Sequence, residues 1–272
     1  MKTVKIQGGL GNQLFGIAFA HSVFELTAGS VVLDVSSFVN YRYGHAFALA
    51  DLAQALGLGV VSRPILGHRL TGAVMRHVPA LGFGTDRITA DGPEALRELV
   101  HRHAYFDGYW QNEIYMSQPD VIARRVADFI ASRAAITDAH DLVIHYRSYA
   151  DETRPSRRDT PPAAYFQRAL AHIQAGGGQV REILVVSDRP DLAAERVGDL
   201  GLPMRIVSSA DPYADLSLML TARHLILSNS SFSWWGAWLA QNPAKNVIAP
   251  KSWFSTTTHD TRDVVPPSWH TI

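Results

Sequence analysis

The sequence predicts an α/β protein in which parallel sheets are covered by helices, and three observations lead there. Residues 2–34 read as strand, glycine turn, helix and strand. Residues 142–249 repeat a strand-then-helix rhythm, and three of those strands end in clusters of polar side chains. Short apolar runs separated by helical stretches are the signature of strands joined by crossover helices, and such sheets bind ligands beyond the carboxyl ends of their strands.

Val4 to Gln7 is the first strand candidate. Gly8, Gly9 and Gly11 follow; without side chains they let the backbone turn tightly and another molecule come close. They do not form a dinucleotide fingerprint, because Gln13 stands where a third glycine belongs. Leu14 to Leu26 is apolar all round, as in a buried helix, and Val31–Leu33 completes a βαβ unit. From Tyr41 to about Asp138 the periodicity is weak, with Gly and Pro scattered through it. Within this span the aromatic-rich stretch 104–110 is expected near a domain interface, and Pro119–Ser132 reads as a helix closing the first half. A boundary near Asp138–Asp141 gives domains 1–139 and 140–272. In the second domain, strands are expected at 142–145, 183–187, 205–207, 225–228 and 247–249. Helices are expected at 162–174, 190–199, 213–222 and 231–241, with Gly176–Gly178 as a loop.

Composition narrows the function. A chain of 272 residues with 47% hydrophobic and 18% charged residues fits an ordinary globular protein of one or two domains. Twenty-five basic side chains balance twenty-five acidic ones, so no nucleic-acid partner is expected. There is no cysteine, which excludes disulfides, thiol nucleophiles and thiolate metal sites. No apolar run approaches the roughly 18 residues of a transmembrane helix, and glycine arrives too early for a signal peptide. The expected location is the cytoplasm, with contact at the inner face of the membrane if the acceptor is membrane-borne.

The chain is organised around residues 224–240. Leu225–Leu227 is a buried strand, Ser228, Asn229, Ser230 and Ser231 can hydrogen-bond a helix start, and the helix follows from Phe232. A strand feeding a helix through small polar residues aims backbone N–H groups and the positive end of a helix dipole at one spot, which suits phosphate. The alternative is a capped helix packing Trp234, Trp235 and Trp238 into the core. Arg147, just beyond the strand at 142–145, has a guanidinium able to pair bidentately with phosphate, or else to form a surface ion pair. Ser187 and Asp188 end another strand; the carboxylate suits guanine, and it also suits capping the helix that begins at Pro190. Asn12 and Gln13 either reach a cleft or tie down the glycine turn. His101 and His103 lack neighbouring carboxylates at ligand spacing, and no Asp-x-Asp pair occurs, so no metal site is expected.

Two long stretches resemble signatures of the α-1,2-fucosyltransferases: Gly8-Gly9-Leu10-Gly11-Asn12-Gln13-Leu14-Phe15, and Ser228-Asn229-Ser230-Ser231-Phe232-Ser233-Trp234-Trp235-Gly236-Ala237-Trp238. Gly108–Glu113 and Pro250–Phe254 also look like blocks of that family. The resemblance implies two facing Rossmann-like domains of GT-B type and an inverting transfer of L-fucose from GDP-β-L-fucose to a glycan with terminal galactose. No cofactor or metal is expected to be required. His145-Tyr146-Arg147 looks like the His-x-Arg motif of fucosyltransferases, whose arginine grips the donor pyrophosphate while the histidine lies beside the nucleotide. The resemblance extends the donor site to Ser187, Asp188, Asn229, Ser230, Ser231 and Phe232. It puts Gly9, Gly11, Asn12, Gln13, Trp110, Gln111 and Glu113 on the acceptor or cleft side. This copy departs from the usual Arg-x-Asp continuation, reading Ser148-Tyr149-Ala150-Asp151-Glu152, so Asp151 and Glu152 are candidates for a base without a matching motif. Rival readings are a transferase of the same build using another GDP-sugar or linkage, and a silent nucleotide- or glycan-binding module.

Overall fold

Each half of the chain builds its own sheet, and every recorded strand pairing is parallel. The computed structural model describes residues 1–39, 45–62, 83–85 (as backbone), 92–136, 138–149, 160–208, 211–254 and 264–272. Two compact units divide at Val126 and Ala127.

Unit 1 runs β1 (Lys2–Lys5), α1 (Leu10–Thr27), β2 (Val31–Asp34), α2 (Ala50–Ala55), β3 (Gly59–Val61), β4 (Phe83–Thr85), α3 (Pro93–Arg102) and β5 (Tyr105–Asp107). Helix α4 (Pro119–Ala131) then crosses the division. The strand order is β3-β2-β1-β5-β4, so the direction of winding switches between β1 and β5. Helix α1 starts at Leu10, earlier than the apolar run from Leu14 suggests: Gly9 is its N-cap and Gly11 lies buried in its first turn. Along the same helix a Cβ at Gly16 would stand 2.6 Å from Ile6 Cδ1, so glycine lets α1 lie close against the chain leaving β1. The core centres on Phe19, which stacks on Trp110 with ring centroids 3.8 Å apart and 7° between planes, and meets Phe106 edge-on.

Unit 2 contains β6 (Leu142–Tyr146), α5 (Ala163–Ala175), β7 (Ile183–Ser187), α6 (Pro190–Val197), β8 (Met204–Val207), α7 (Pro212–Leu220), β9 (His224–Leu227), α8 (Ser231–Leu239), β10 (Asn246–Ala249) and β11 (His270–Thr271). Its order is β11-β10-β9-β6-β7-β8. Strands β6, β7 and β9 are buried along their whole length, which is why they read as unbroken apolar runs rather than alternating ones. Trp234 and Trp235 are fully buried, and Trp234 Nε1 donates to the Val264 carbonyl at 2.8 Å, so these indoles belong to the core. Lys245 Nζ closes the carboxyl end of α8, donating to the carbonyls of Ala237 at 2.8 Å and Ala240 at 2.6 Å. At the amino end of the sheet the buried Asp141 carboxylate takes Arg181 and Arg223; the hydrogen bond from Arg181 is the main reason it sits below the usual carboxylate range. Among the described residues no helix is long and apolar enough to cross a membrane.

Candidate functional site

Strand β6 lies between β9 and β7, and the winding of unit 2 switches direction between β6 and β9. In sheets of this kind the loops at such a switch part to opposite faces and leave a crevice at the carboxyl ends. His145, Arg147, Ser187, Asp188 and Asn229 all stand at the carboxyl ends of these three neighbouring strands.

Ser228 stitches two of the ends together. Its Oγ accepts the Arg147 backbone N–H at 3.0 Å and donates to the His145 carbonyl at 2.9 Å. Tyr149 adds a second stitch, donating its hydroxyl to the Asn229 carbonyl at 2.9 Å. On the other side, Arg147 Nη1 donates to Asp188 Oδ2 at 2.5 Å and the Ser148 N–H donates to Asp188 Oδ1 at 3.0 Å. The loop after β6 is therefore tied to β9 through backbone groups and to β7 through a charged pair. Arg147 and Asp188 side chains remain about one-third exposed, at 34% and 33%, so the pair opens to solvent.

His145 is buried beneath this rim. Its Nδ1 lies 2.6 Å from Ser233 Oγ, and its ring centroid is 5.2 Å from that of Phe232 at a 33° tilt. Desolvation, with Arg147 adding to it, pushes the imidazole down to about 3, so the ring is neutral at working pH. The ring contact comes from the first turn of α8 and the hydrogen bond from the residue after it. Ser230 is the N-cap of that helix and its Oγ accepts the Phe232 N–H at 3.2 Å, while Ser231 is the first helical residue. Asn229 and Ser230 are buried, and Asn229 Nδ2 donates to the Trp253 carbonyl at 3.2 Å. Ser187 Oγ accepts the Arg189 N–H at 3.0 Å, and α6 begins without any side-chain cap from Asp188. The capping role that sequence allowed for Asp188 is thus not the one its carboxylate takes: it turns toward the β6 end instead.

The unit 1 candidates divide. Gln13 is buried and ties down the glycine turn, donating to the Gly8 carbonyl at 3.1 Å and the Ala46 carbonyl at 2.9 Å and accepting the Ala48 N–H at 2.9 Å. Gly8 has φ +85°, and a Cβ there would stand 2.5 Å from Asn12 Nδ2. Gly9 faces the His45 ring, and Gly11 is inside the helix. Gln111 Nε2 donates to Asn12 Oδ1 at 2.6 Å, which joins the first turn of α1 to the loop after β5 at the switch point of unit 1. Glu113 is partly exposed in a short turn whose Ile114 N–H is capped by Asn112. Trp110 is 1% exposed and stacked on Phe19, so its indole packs the core of unit 1. Asp151 and Glu152 lie outside the described residues.

Sequence reasoning assigned no site role to Ser233 or Tyr149 and used Ser228 only as one of several cap candidates. Their signal was positional: Ser228 follows a strand that pairs with the one carrying His145, and Ser233 lies in the first turn of α8 beside Phe232. Among the described residues no group of three or more His, Asp or Glu side chains is placed to hold a metal ion.

Comparison with known proteins supplies a relationship. The model of glycosyl transferase family 11 matches residues 159–272. The chain is 23% identical over 282 aligned positions to an α-1,2-colitosyltransferase from Escherichia coli, covering 97% of this chain and 96% of that protein. It is 31% identical over 96 positions to the O-antigen biosynthesis glycosyltransferase WbnK from Escherichia coli, a match spanning 35% of this chain and 32% of that one. Among solved structures, the fucosyltransferase NodZ from Bradyrhizobium aligns at 14% identity and a TM-score of 0.45, covering 86% of this chain and 90% of that one.

Proposed function

We propose that this chain, whose residues 159–272 match the model of glycosyl transferase family 11, is an inverting fucosyltransferase. It moves L-fucose from GDP-β-L-fucose to a glycan hydroxyl, O2 of a terminal galactose, forming an α-1,2-fucoside. The observation that carries the donor assignment is Arg147, held at the switch point of unit 2 by Ser228 and Asp188 and one strand away from the Ser230-capped start of α8.

GDP leaves with more negative charge on its diphosphate than it carries as a sugar ester. A group that binds this charge more strongly in the transition state than in the ground state accelerates the transfer. A guanidinium remains protonated throughout and offers N–H groups in a fork matched to phosphate oxygens. Neutral His145 adds no second charge, and with Ser233 and Phe232 it forms the floor of the crevice. The acceptor hydroxyl attacks from the face opposite the diphosphate, which inverts the β-linked donor to an α-fucoside. Asn12 and Gln111, joined at the switch point of unit 1, are the acceptor-side groups in this reading, with Asp151, Glu152 or Glu113 as base candidates. The leaving charge is met by Arg147 and helix α8 without a metal, so excess chelator should leave turnover unchanged.

Release of GDP from GDP-fucose, followed against a panel of β-galactosides, tests the reading. Arg147→Ala should lower turnover by about 100-fold or more while the protein still folds. A variant within a few-fold of wild type would remove Arg147 from the chemistry. A second reading, GDP-colitose as donor, is favoured by the colitosyltransferase that matches nearly the full length of the chain. Colitose lacks one hydroxyl of fucose, and competition between the two GDP-sugars decides between them.

A further inference from the structure

We propose that Asp188 is a positioning residue for Arg147, holding the guanidinium and the loop after β6 in the arrangement that receives a diphosphate; this rests on the donor site just described. One carboxylate joins the side chain of Arg147 to the backbone of the next residue, through Oδ2 to Nη1 and through Oδ1 to the Ser148 N–H. The opposite side of the same short segment is fixed by Ser228 and Tyr149. The chain from Arg147 to Tyr149 is therefore anchored at both neighbouring strands.

Stability is a weak reason for such a pair. Both side chains are a third exposed, and ion pairs in contact with water contribute little to folding. Orientation is the stronger reason: an arginine side chain has several rotatable bonds, and one carboxylate on Nη1 limits where the rest of the fork can point. The partners that the structure gives the two oxygens of Asp188 are the Arg147 guanidinium and the Ser148 N–H, so the carboxylate is directed at the arginine and its loop. The carboxylate thus acts on the ligand through the arginine.

A double-mutant cycle separates these roles. Wild type, Arg147→Ala, Asp188→Ala and the double variant are titrated with GDP by calorimetry, with thermal melts to confirm folding. Asp188→Ala should weaken GDP binding about tenfold in the wild-type background and leave it nearly unchanged when Arg147 is already alanine. Asp188→Asn, which keeps one carbonyl oxygen for the Ser148 N–H, should recover part of the loss, and it carries the same cycle if the alanine variant does not fold. Equal losses in both backgrounds would mean that Asp188 touches the nucleotide itself and would overturn the assignment. If wild type binds UDP or ADP in place of GDP, the donor reading falls and the cycle with that nucleotide still decides the role of Asp188. Binding of none of these, nor of pyrophosphate, would remove both.

Discussion

Burial of the His145 ring between Ser233 and Phe232 gives stability a pH dependence whose sign is fixed. The imidazole is lowered from 6.5 to about 3 in the folded chain, so between those values the unfolded chain binds a proton that the folded chain refuses. Stability is full above 6.5 and falls as pH drops through the window, by about 2 kcal/mol from this group between pH 7 and pH 5. His21 and His224 are lowered by burial as well and add in the same direction. Urea unfolding at the two pH values should show a smaller drop for His145→Gln than for wild type; an equal drop would mean that His145 is protonated in the fold. His145 and Arg147 were legible in the sequence because they close an apolar run in a recognisable order. Ser228 and Ser233 were not, since one serine in a hydroxyl-rich stretch resembles the next until the fold shows which of them meets the end of β6. Trp110 illustrates the same limit, for its backbone at φ +54° turns the indole inward, and nothing in an aromatic-rich stretch announces that turn.

At the level of elements, α8 packs closely against α7 at Gly236. A Cβ there would lie 2.5 Å from both Met219 Sδ and Cε and 2.9 Å from Met219 Cβ. The thioether can swing aside, but the Met219 Cβ is fixed to its helix. Gly236→Ala should therefore destabilise by about 1–3 kcal/mol from overpacking, although alanine is the better helix former. A thermal melt checks this, and an unchanged or raised midpoint would show that the helices have room to separate. Strands β6 to β10 lie within a residue of where the apolar runs put them, and β6, β7 and β9, buried throughout, leave no alternation to misread; the two-residue β11 was not foreseen. Helix α1 was less legible, since Gly11 looks like part of a turn in sequence but sits inside the first helical turn. Over 63–82 and 86–91 the sequence offered weak periodicity, and those residues are among the ones not described.

Over the whole molecule, the sheets in the two units divide the expected response to ligand. GDP should slow amide exchange at the ends of β6, β7 and β9 and in the first turn of α8, while the β3-β2-β1-β5-β4 sheet of unit 1 keeps its rates. Hydrogen-exchange mass spectrometry reads this directly, and protection centred on Asn12 and Gln111 would move the donor to unit 1. The α/β class and the parallel sheets were legible from the alternation of runs; what the sequence did not reveal is that the switch point of each sheet brings the polar ends of neighbouring strands together. Five of the six tryptophans fall in unit 2, and Trp110 alone in unit 1. Intrinsic fluorescence is therefore a nearly one-sided witness: a single emission transition during denaturation describes the second unit, and loss of the first must be followed by circular dichroism or by the small signal that Trp110→Phe erases.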